Sequence, residues 1–146
     1  MHELTIERNF AMPVEKLFDA FTQPETITKW FAPGHLECTE AKVDLKVGGQ
    51  YRIRMDGDDE PHIVVGEYLV IEPHSKLVFS WRWHTRETTT RVSLAFKALD
   101  NNNSQLLLKH DQFPDQALSD KHNQGWMGCL ANLEKYINTE LVKTTA

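Results

Sequence analysis

The chain has 146 residues, 40% of them hydrophobic and 25% charged, which predicts a single domain over residues 1–146 with a sizeable core. Its net charge of −5 and scattered basic residues argue against nucleic-acid binding, and the absence of a long apolar run argues against a signal peptide or membrane span. Cys38 and Cys129 form no CxxC pair, so we expect a reduced, cytoplasmic protein.

The N-terminal segment predicts a half-buried strand followed by two short helices. Residues 3–10 alternate between apolar and polar, with Arg8 on the otherwise apolar face. Pro13 and Pro24 each stand where a helix would begin, because proline is favoured in the first turn. The turn residues at 32–34 end the second helix.

From about residue 37 to 113 the hydrophobic period changes to two, which predicts antiparallel strands joined by short polar turns. The six predicted strands lie near residues 37–45, 49–55, 62–72, 76–83, 88–99 and 105–112. The third of these has apolar residues on both faces. The pattern therefore leaves open whether Glu67 or Tyr68 faces inward.

The last predicted element is a helix over residues 116–141, with an apolar stripe at helical period. It contains Gly125 and Gly128 beside Trp126, although each glycine in a helix costs roughly 1 kcal/mol relative to alanine. Helical spacing places Gly128 towards solvent and Gly125 on the flank of Trp126. Two interpretations of Gly125 remain: close packing of helix on sheet, or a cavity beside the tryptophan.

This order of elements predicts an α+β fold. A curved antiparallel sheet of six or seven strands has one apolar face that must be covered, and the C-terminal helix is the element long enough to cover it. The two short helices should follow the first strand, and that strand should join the sheet beside a later one.

Several motifs resemble one known family. They are AMPVEKLFDAFTQPETITKWFAP, DLKVGGQYRIRM, GEYLVIEPHSKLVFSW, LLLKH, and GW followed by LxxLEKY. Over about residues 4–137 the chain is similar to the C-terminal domain of the activator of the heat-shock-protein-90 ATPase. That family lies in the START-like (SRPBCC) superfamily, with the birch-pollen allergen and plant polyketide cyclases.

The resemblance implies a helix-grip fold, with a ligand cavity between the sheet and the C-terminal helix. It thus favours the cavity interpretation of Gly125. The co-chaperone itself has an additional N-terminal domain that this sequence lacks, so a chaperone partner is left open and not favoured. A homodimer is also left open.

The candidate ligand-binding residues are large rings and inward-facing residues that would line such a cavity. They are Arg8, Phe18, Trp30, Tyr51, Tyr68, Trp81, Phe96, Leu108, His110, Trp126, Leu130 and Leu133. Arg8 either reaches the rim of the sheet or holds an anionic or carbonyl group of a ligand. His110 is either a satisfied core histidine or a polar anchor, with an acid–base role if the protein is an enzyme.

Metal and cofactor chemistry find no support in the sequence. The seven histidines show neither HxH nor HxxxH spacing, and no phosphate-binding or dinucleotide-binding glycine motif occurs. We therefore predict no metal, no cofactor and no catalytic residue. The favoured function is binding of a small hydrophobic or aromatic molecule. A cavity enzyme of cyclase, hydrolase or isomerase type, and a chaperone-linked interaction module, are the alternatives.

Overall fold

The computed structural model describes residues 2–145, with side chains to residue 141, and in this part the strands form one seven-stranded sheet. The elements in chain order are β1 (His2–Phe10), α1 (Val14–Thr22), α2 (Pro24–Trp30), β2 (Glu37–Val43), β3 (Gln50–Asp56), β4 (His62–Glu72), β5 (Lys76–Trp83), β6 (Thr90–Ala98), β7 (Ser104–Phe113) and α3 (Gln116–Thr145). No helix within the described residues has the length and apolar character needed to cross a membrane.

All neighbouring strands are antiparallel, in the order β1-β7-β6-β5-β4-β3-β2. Strands β2 to β7 follow one another as a meander, because short turns join antiparallel neighbours. Only β1 joins out of sequence order, pairing with β7 so that Ile6 lies opposite Leu108. The predicted α+β helix-grip fold is confirmed, with a curved sheet, two short helices after β1 and a long C-terminal helix.

The two short helices cover one end of the sheet. Pro13 is the N-cap of α1 and Pro24 is the first residue of α2, as the sequence predicts. Helix α1 buries its apolar stripe against β6, where Phe96 meets the rings of Phe18 and Phe21 at 5.3 and 5.7 Å. These edge-on aromatic contacts hold the helix pair to the sheet.

Strand β4 faces the core with its even-numbered residues. Tyr68 is buried and Glu67 is exposed, which settles the choice that the sequence left open. A register shift follows Tyr68, so that Ile71 also returns to the inner face opposite Leu77. This β-bulge explains why the sequence shows two competing apolar faces: an extra residue moves the alternation by one position.

The C-terminal helix packs along the inner face of the sheet through a buried stripe formed by Trp126, Cys129, Leu130, Leu133 and Ile137. The expectation that Gly128 faces solvent is wrong. A Cβ at this position would lie 3.1 Å from Pro33 Cβ, so the glycine lets α3 approach the loop between α2 and β2. A Cβ at Gly125, in contrast, would meet no described atom within 4 Å. The prediction from helical spacing failed because it assumed that α3 contacts only the sheet, and it did not include the α2–β2 loop.

Candidate ligand-binding site

An aromatic cluster fills the space between the middle of the sheet and α3. Its members are Phe31, Trp81, Trp83, His110, Phe113, His122 and Trp126. Trp81, on β5, lies at the centre, with ring centroids of five of the others between 5.2 and 6.3 Å away. Such rings bury much apolar area in preferred tilted and edge-on contacts, so the cluster is a large part of the core.

His110 is bonded at both ring nitrogens. Its Nδ1 accepts from Trp126 Nε1 at 3.0 Å, so the proton of the neutral ring lies on Nε2. That nitrogen donates to Thr90 Oγ1 at 2.6 Å, and the Thr90 hydroxyl donates to the Trp81 carbonyl at 3.3 Å. Every polar atom in this chain of bonds therefore has a partner, and β5, β6, β7 and α3 are tied together inside the core.

The same surroundings keep His110 neutral. Burial, with a smaller contribution from the nearby His122, lowers the pKa of His110 from 6.5 to about 2. A general acid or base works best with a pKa near the operating pH and a ring nitrogen free for substrate. His110 has neither property, so its geometry fits a satisfied core histidine.

A second chain of bonds joins Trp83 to α3. Trp83 Nε1 donates to His122 Nε2 at 3.0 Å, and His122 Nδ1 donates to the Leu118 carbonyl at 2.9 Å. Burial is the main cause that lowers the pKa of His122. The imidazoles of His110 and His122 lie 5.2 Å apart, and all four of their ring nitrogens are engaged.

A groove of about 540 Å³ opens beside this cluster, between α2, β2 and the second half of α3. Its walls are the apolar or aromatic residues Trp30, Ala32, Leu36, Cys38 and Tyr136, and the polar or charged residues Thr28, Lys29, Glu37, Asn132, Lys135, Thr139 and Glu140. Small-molecule sites have this order of volume, but their lining is usually mostly apolar, whereas polar and charged residues outnumber the apolar ones here.

The groove is fastened on the side of the α2–β2 loop. Asn132 Nδ2 donates to the Ala32 carbonyl, and Gly128 packs against Pro33 in the same loop. The Cys38 thiol lies in the groove wall with its pKa raised by burial to about 11. A thiol with so high a pKa is a weak nucleophile at neutral pH, so Cys38 contributes apolar surface.

The structure brings few of the predicted ligand-binding residues to this groove. Trp30 borders it, whereas Phe18, Phe96, Leu108, Leu130 and Leu133 are buried in side-chain packing elsewhere in the core, and Trp81, His110 and Trp126 belong to the aromatic cluster. Contact of these residues with a ligand remains a prediction.

Tyr51 and Tyr68 lie further along the sheet. Tyr51 donates to the Ser80 carbonyl at 2.6 Å. Its ring lies over Gly66, where a Cβ atom would collide with the tyrosine. Tyr51 and Gly66 also border a second recess of about 530 Å³, whose other residues include outward-facing charged side chains of the sheet. The ring of Tyr68 contacts that of Tyr51 at 5.6 Å.

Arg8 is half-buried on the inner face of β1, opposite Leu106, as the alternation predicts. Its guanidinium extends past α3, where Nη2 lies 2.9 Å from Met127 Sδ, and Met127 is exposed. The long apolar stem is thus covered while the charge reaches the rim of the helix–sheet interface.

Sequence reasoning missed every residue that borders the groove except Trp30, including Leu36, Cys38, Asn132 and Tyr136. Asn132 and Tyr136 are four residues apart on α3, so they share a helix face adjacent to the main apolar stripe. A polar residue and a tyrosine at this spacing are a weak signal, because solvent-exposed helix faces carry the same residue types.

One cluster of metal-ligand residue types lies on the surface. Asp58 bonds His35 Nε2 at 2.6 Å through one oxygen and His62 Nε2 at 2.9 Å through the other. In each imidazole the Nε2 atom is therefore already hydrogen-bonded to the Asp58 carboxylate. Among the described residues no group of histidine, cysteine or acidic side chains has an arrangement that could hold a metal ion.

Solved structures show the same fold. The AHSA1 protein of Silicibacter pomeroyi superposes with a TM-score of 0.85 at 24% identity, covering 95% of this chain and 99% of that one. A protein of Chromobacterium violaceum gives 0.83 at 21% identity, covering 92% and 96%. An HSP90 activator of Plasmodium falciparum gives 0.73 at 23% identity, covering 94% and 97%. At these identities the likeness establishes the fold.

The search among curated proteins finds no match. The family model described as "Activator of Hsp90 ATPase homolog 1-like protein" matches residues 11–138, which include the two short helices, β2 to β7, most of the groove and most of α3. This match extends over far more than half of the chain and agrees with the motifs, the strand order and the long C-terminal helix. The chain therefore belongs to the activator of Hsp90 ATPase homolog 1-like family.

Proposed function

We propose that the protein binds a small hydrophobic or aromatic molecule between the sheet and α3, with the groove as the mouth of the site. The observation that carries this proposal is the groove itself, about 540 Å³ at the edge of the helix–sheet interface. Its inner wall adjoins the aromatic cluster, since Trp30 contacts Phe31 at 5.1 Å. A flat apolar molecule would extend the ring stacking that the core already contains.

Binding would be driven by removal of apolar surface from water. At about 25 cal/mol per Å², burying roughly 200 Å² of ligand surface contributes on the order of 5 kcal/mol before the entropic cost of association. Lys29, Glu37 and Lys135 stand among the groove residues and carry the charges that face solvent. The polar groups set the orientation of the ligand and contribute little to affinity.

The cavity-enzyme alternative is weakened by His110. An enzyme of this type needs an acid–base group within reach of the substrate, and sequence reasoning offered His110 for that role. Both of its nitrogens are bonded, to Thr90 and Trp126, and neither partner is a carboxylate. We therefore propose binding without catalysis by His110.

The test uses the neutral fluorescent probe N-phenyl-1-naphthylamine with the full chain. Its emission should rise saturably with the wild-type protein. Leu36→Trp places a large ring in the groove wall and should weaken binding at least tenfold, while Leu45→Trp, at an exposed leucine outside the groove, should leave it unchanged. Equal binding by Leu36→Trp and wild type would place the probe elsewhere, and non-saturable emission would contradict the proposal.

A second candidate function is binding of a protein partner, favoured by exposed apolar residues at one end of the sheet. Val47 is 67% and Leu69 40% exposed, and both adjoin the backbone bond from Gly48 N to Tyr68 O. Because a relative of this fold is described as an HSP90 activator, Hsp90 is the partner to test first.

That alternative predicts that Leu69→Asp abolishes any stimulation of Hsp90 ATPase activity by this protein. Leu107→Asp, at a leucine of similar exposure to Leu69 on the outer face of β7, is the matched control. If the wild-type protein does not stimulate Hsp90, activation of Hsp90 is excluded as the function of this surface.

A further inference from the structure

The sequence contains four tryptophans, and three of their indole N–H groups donate a hydrogen bond while the fourth has no acceptor among the described residues. Trp30 donates to the Ala20 carbonyl, Trp83 to His122 and Trp126 to His110, each at 3.0 Å. Trp81 Nε1 is buried without an acceptor among the described residues, although Trp81 itself is only 5% exposed. Buried donors without partners are rare in folded proteins, because desolvation of the N–H is then uncompensated.

None of the described residues around Trp81 places an acceptor within hydrogen-bond reach of Nε1. The imidazoles of His110 and His122 lie 5.4 and 6.3 Å from the Trp81 ring, but all their nitrogens are already engaged. The other rings around Trp81 offer only their π-faces, which are much weaker acceptors than an oxygen atom. The N–H therefore has capacity for an acceptor brought by another molecule.

Phe31 connects the residues of the groove wall to the Trp81 ring. Trp30 and Ala32, on either side of Phe31 in sequence, both border the groove, and the Phe31 ring lies 6.2 Å from that of Trp81. The buried Phe31 side chain must therefore move before a molecule in the groove can reach the indole. The rings named in the cluster carry no charge while both histidines are neutral, so an ionised group placed among them would be poorly solvated.

We propose that Trp81 Nε1 is the polar anchor of the ligand site, and that the ligand is an aromatic molecule with a neutral hydrogen-bond acceptor, such as a ketone or ether oxygen. This inference rests on the proposed function and narrows it. Simple hydrocarbons and aromatic carboxylates are then inferior ligands of the same site.

The experiment compares three naphthalenes on the ¹⁵N-labelled full chain. 2-Acetylnaphthalene has a carbonyl oxygen, 2-isopropenylnaphthalene replaces that oxygen by a CH₂ group of similar shape, and 2-naphthoate has a charge. The indole signals are assigned with Trp81→Phe and Trp83→Phe. We expect the ketone to bind roughly five- to tenfold more tightly than the other two and to shift the Trp81 indole proton downfield.

Trp81→Phe keeps an aromatic ring and removes the N–H, so it should bind the ketone and the alkene equally. Trp83→Phe removes an N–H that is already bonded to His122, so it should keep the preference for the ketone. If Trp81→Phe does not fold, the affinity ratio and the indole shift of the wild type decide.

The outcomes separate the two proposals. Equal wild-type affinity for ketone and alkene, or an unmoved Trp81 indole signal on ketone binding, overturns the anchor and leaves hydrophobic binding intact. A Trp81 indole proton that exchanges magnetisation with bound water equally with and without ketone also overturns the anchor. Failure of all three naphthalenes to bind overturns both.

Discussion

His110 on β7 and Trp126 on α3 are joined by a hydrogen bond of 3.0 Å between Nδ1 and the indole N–H, in the interior of the protein. The bond fixes the position of the helix along the sheet, because a shift of either residue would leave two buried polar atoms unpaired. With Thr90 on the other side of the imidazole, it gives the apolar core a single satisfied polar arrangement.

Trp126→Phe should destabilise the protein more than Trp81→Phe. Both changes replace a buried indole by a smaller phenyl ring, but only Trp126→Phe breaks a hydrogen bond and leaves His110 Nδ1 without a donor. The difference in unfolding free energy should be about 1–3 kcal/mol, measured by urea denaturation of both variants. Equal losses would mean that the Trp126 bond contributes nothing beyond ring packing.

Thr90→Val should lower the unfolding free energy by about 1–3 kcal/mol, since the methyl group leaves His110 Nε2–H buried without an acceptor. Thr90→Ser keeps the hydroxyl and should retain most of the stability. Thermal melts of the two variants check this prediction. A Thr90→Val protein as stable as Thr90→Ser would show that the hydroxyl is dispensable.

The neutral state of His110 should make the protein sensitive to mild acid. Its pKa is lowered by burial from 6.5 to about 2, so between these values the unfolded chain binds a proton that the folded chain does not. The resulting contribution to stability is complete above pH 6.5 and is lost as the pH falls towards 2. From pH 7 to pH 5 the loss should be on the order of 2 kcal/mol for this group.

The measurement is the unfolding free energy between pH 7 and pH 5, above the range in which most carboxylates titrate. His122, whose pKa burial also lowers, adds a contribution of the same sign. His110→Gln should flatten the profile, whereas His84→Gln, at an exposed residue, should not. Should His110→Gln fail to fold, ring ¹⁵N shifts showing a protonated His110 in the native protein at pH 5 would refute the assignment.

The two glycines of α3 should respond oppositely to alanine. At Gly125 a Cβ meets no described atom within 4 Å, so Gly125→Ala should stabilise the helix by something under about 1 kcal/mol. At Gly128 a Cβ would press on the rigid ring of Pro33, so Gly128→Ala should lower the melting temperature. A rise at both positions would show that the α2–β2 loop yields without cost.

Tertiary structure decided what these glycines do. Their sequence context shows two costly residues beside a tryptophan, and helical spacing ranks Gly125 as the important one. In the folded protein Gly128 is the closely packed one, because the loop that presses on it arrives from about 95 residues earlier in the chain. Spacing along one helix carries no information about a neighbour so distant in sequence.

The candidate site divides in the same way. Alternation alone places His110 and Arg8 on the inner face, and both lie there. Whether His110 is an anchor or a satisfied core group depends on Thr90 and Trp126, which come from other elements. The groove is assembled by α2, β2 and α3 together, so most of its residues, such as Cys38 and Asn132, have no distinguishing local pattern.

The sequence by itself determined the order and type of the elements, because period-two and helical hydrophobic patterns, prolines at helix starts and polar turns are local properties. It also determined the α+β fold, because the apolar face of the sheet must be buried and the long C-terminal helix is the element that can cover it. Only the tertiary structure decided which polar groups are satisfied, such as His110, and which are not, such as Trp81. Hydrogen bonds across strands depend on atomic positions that residue spacing does not specify.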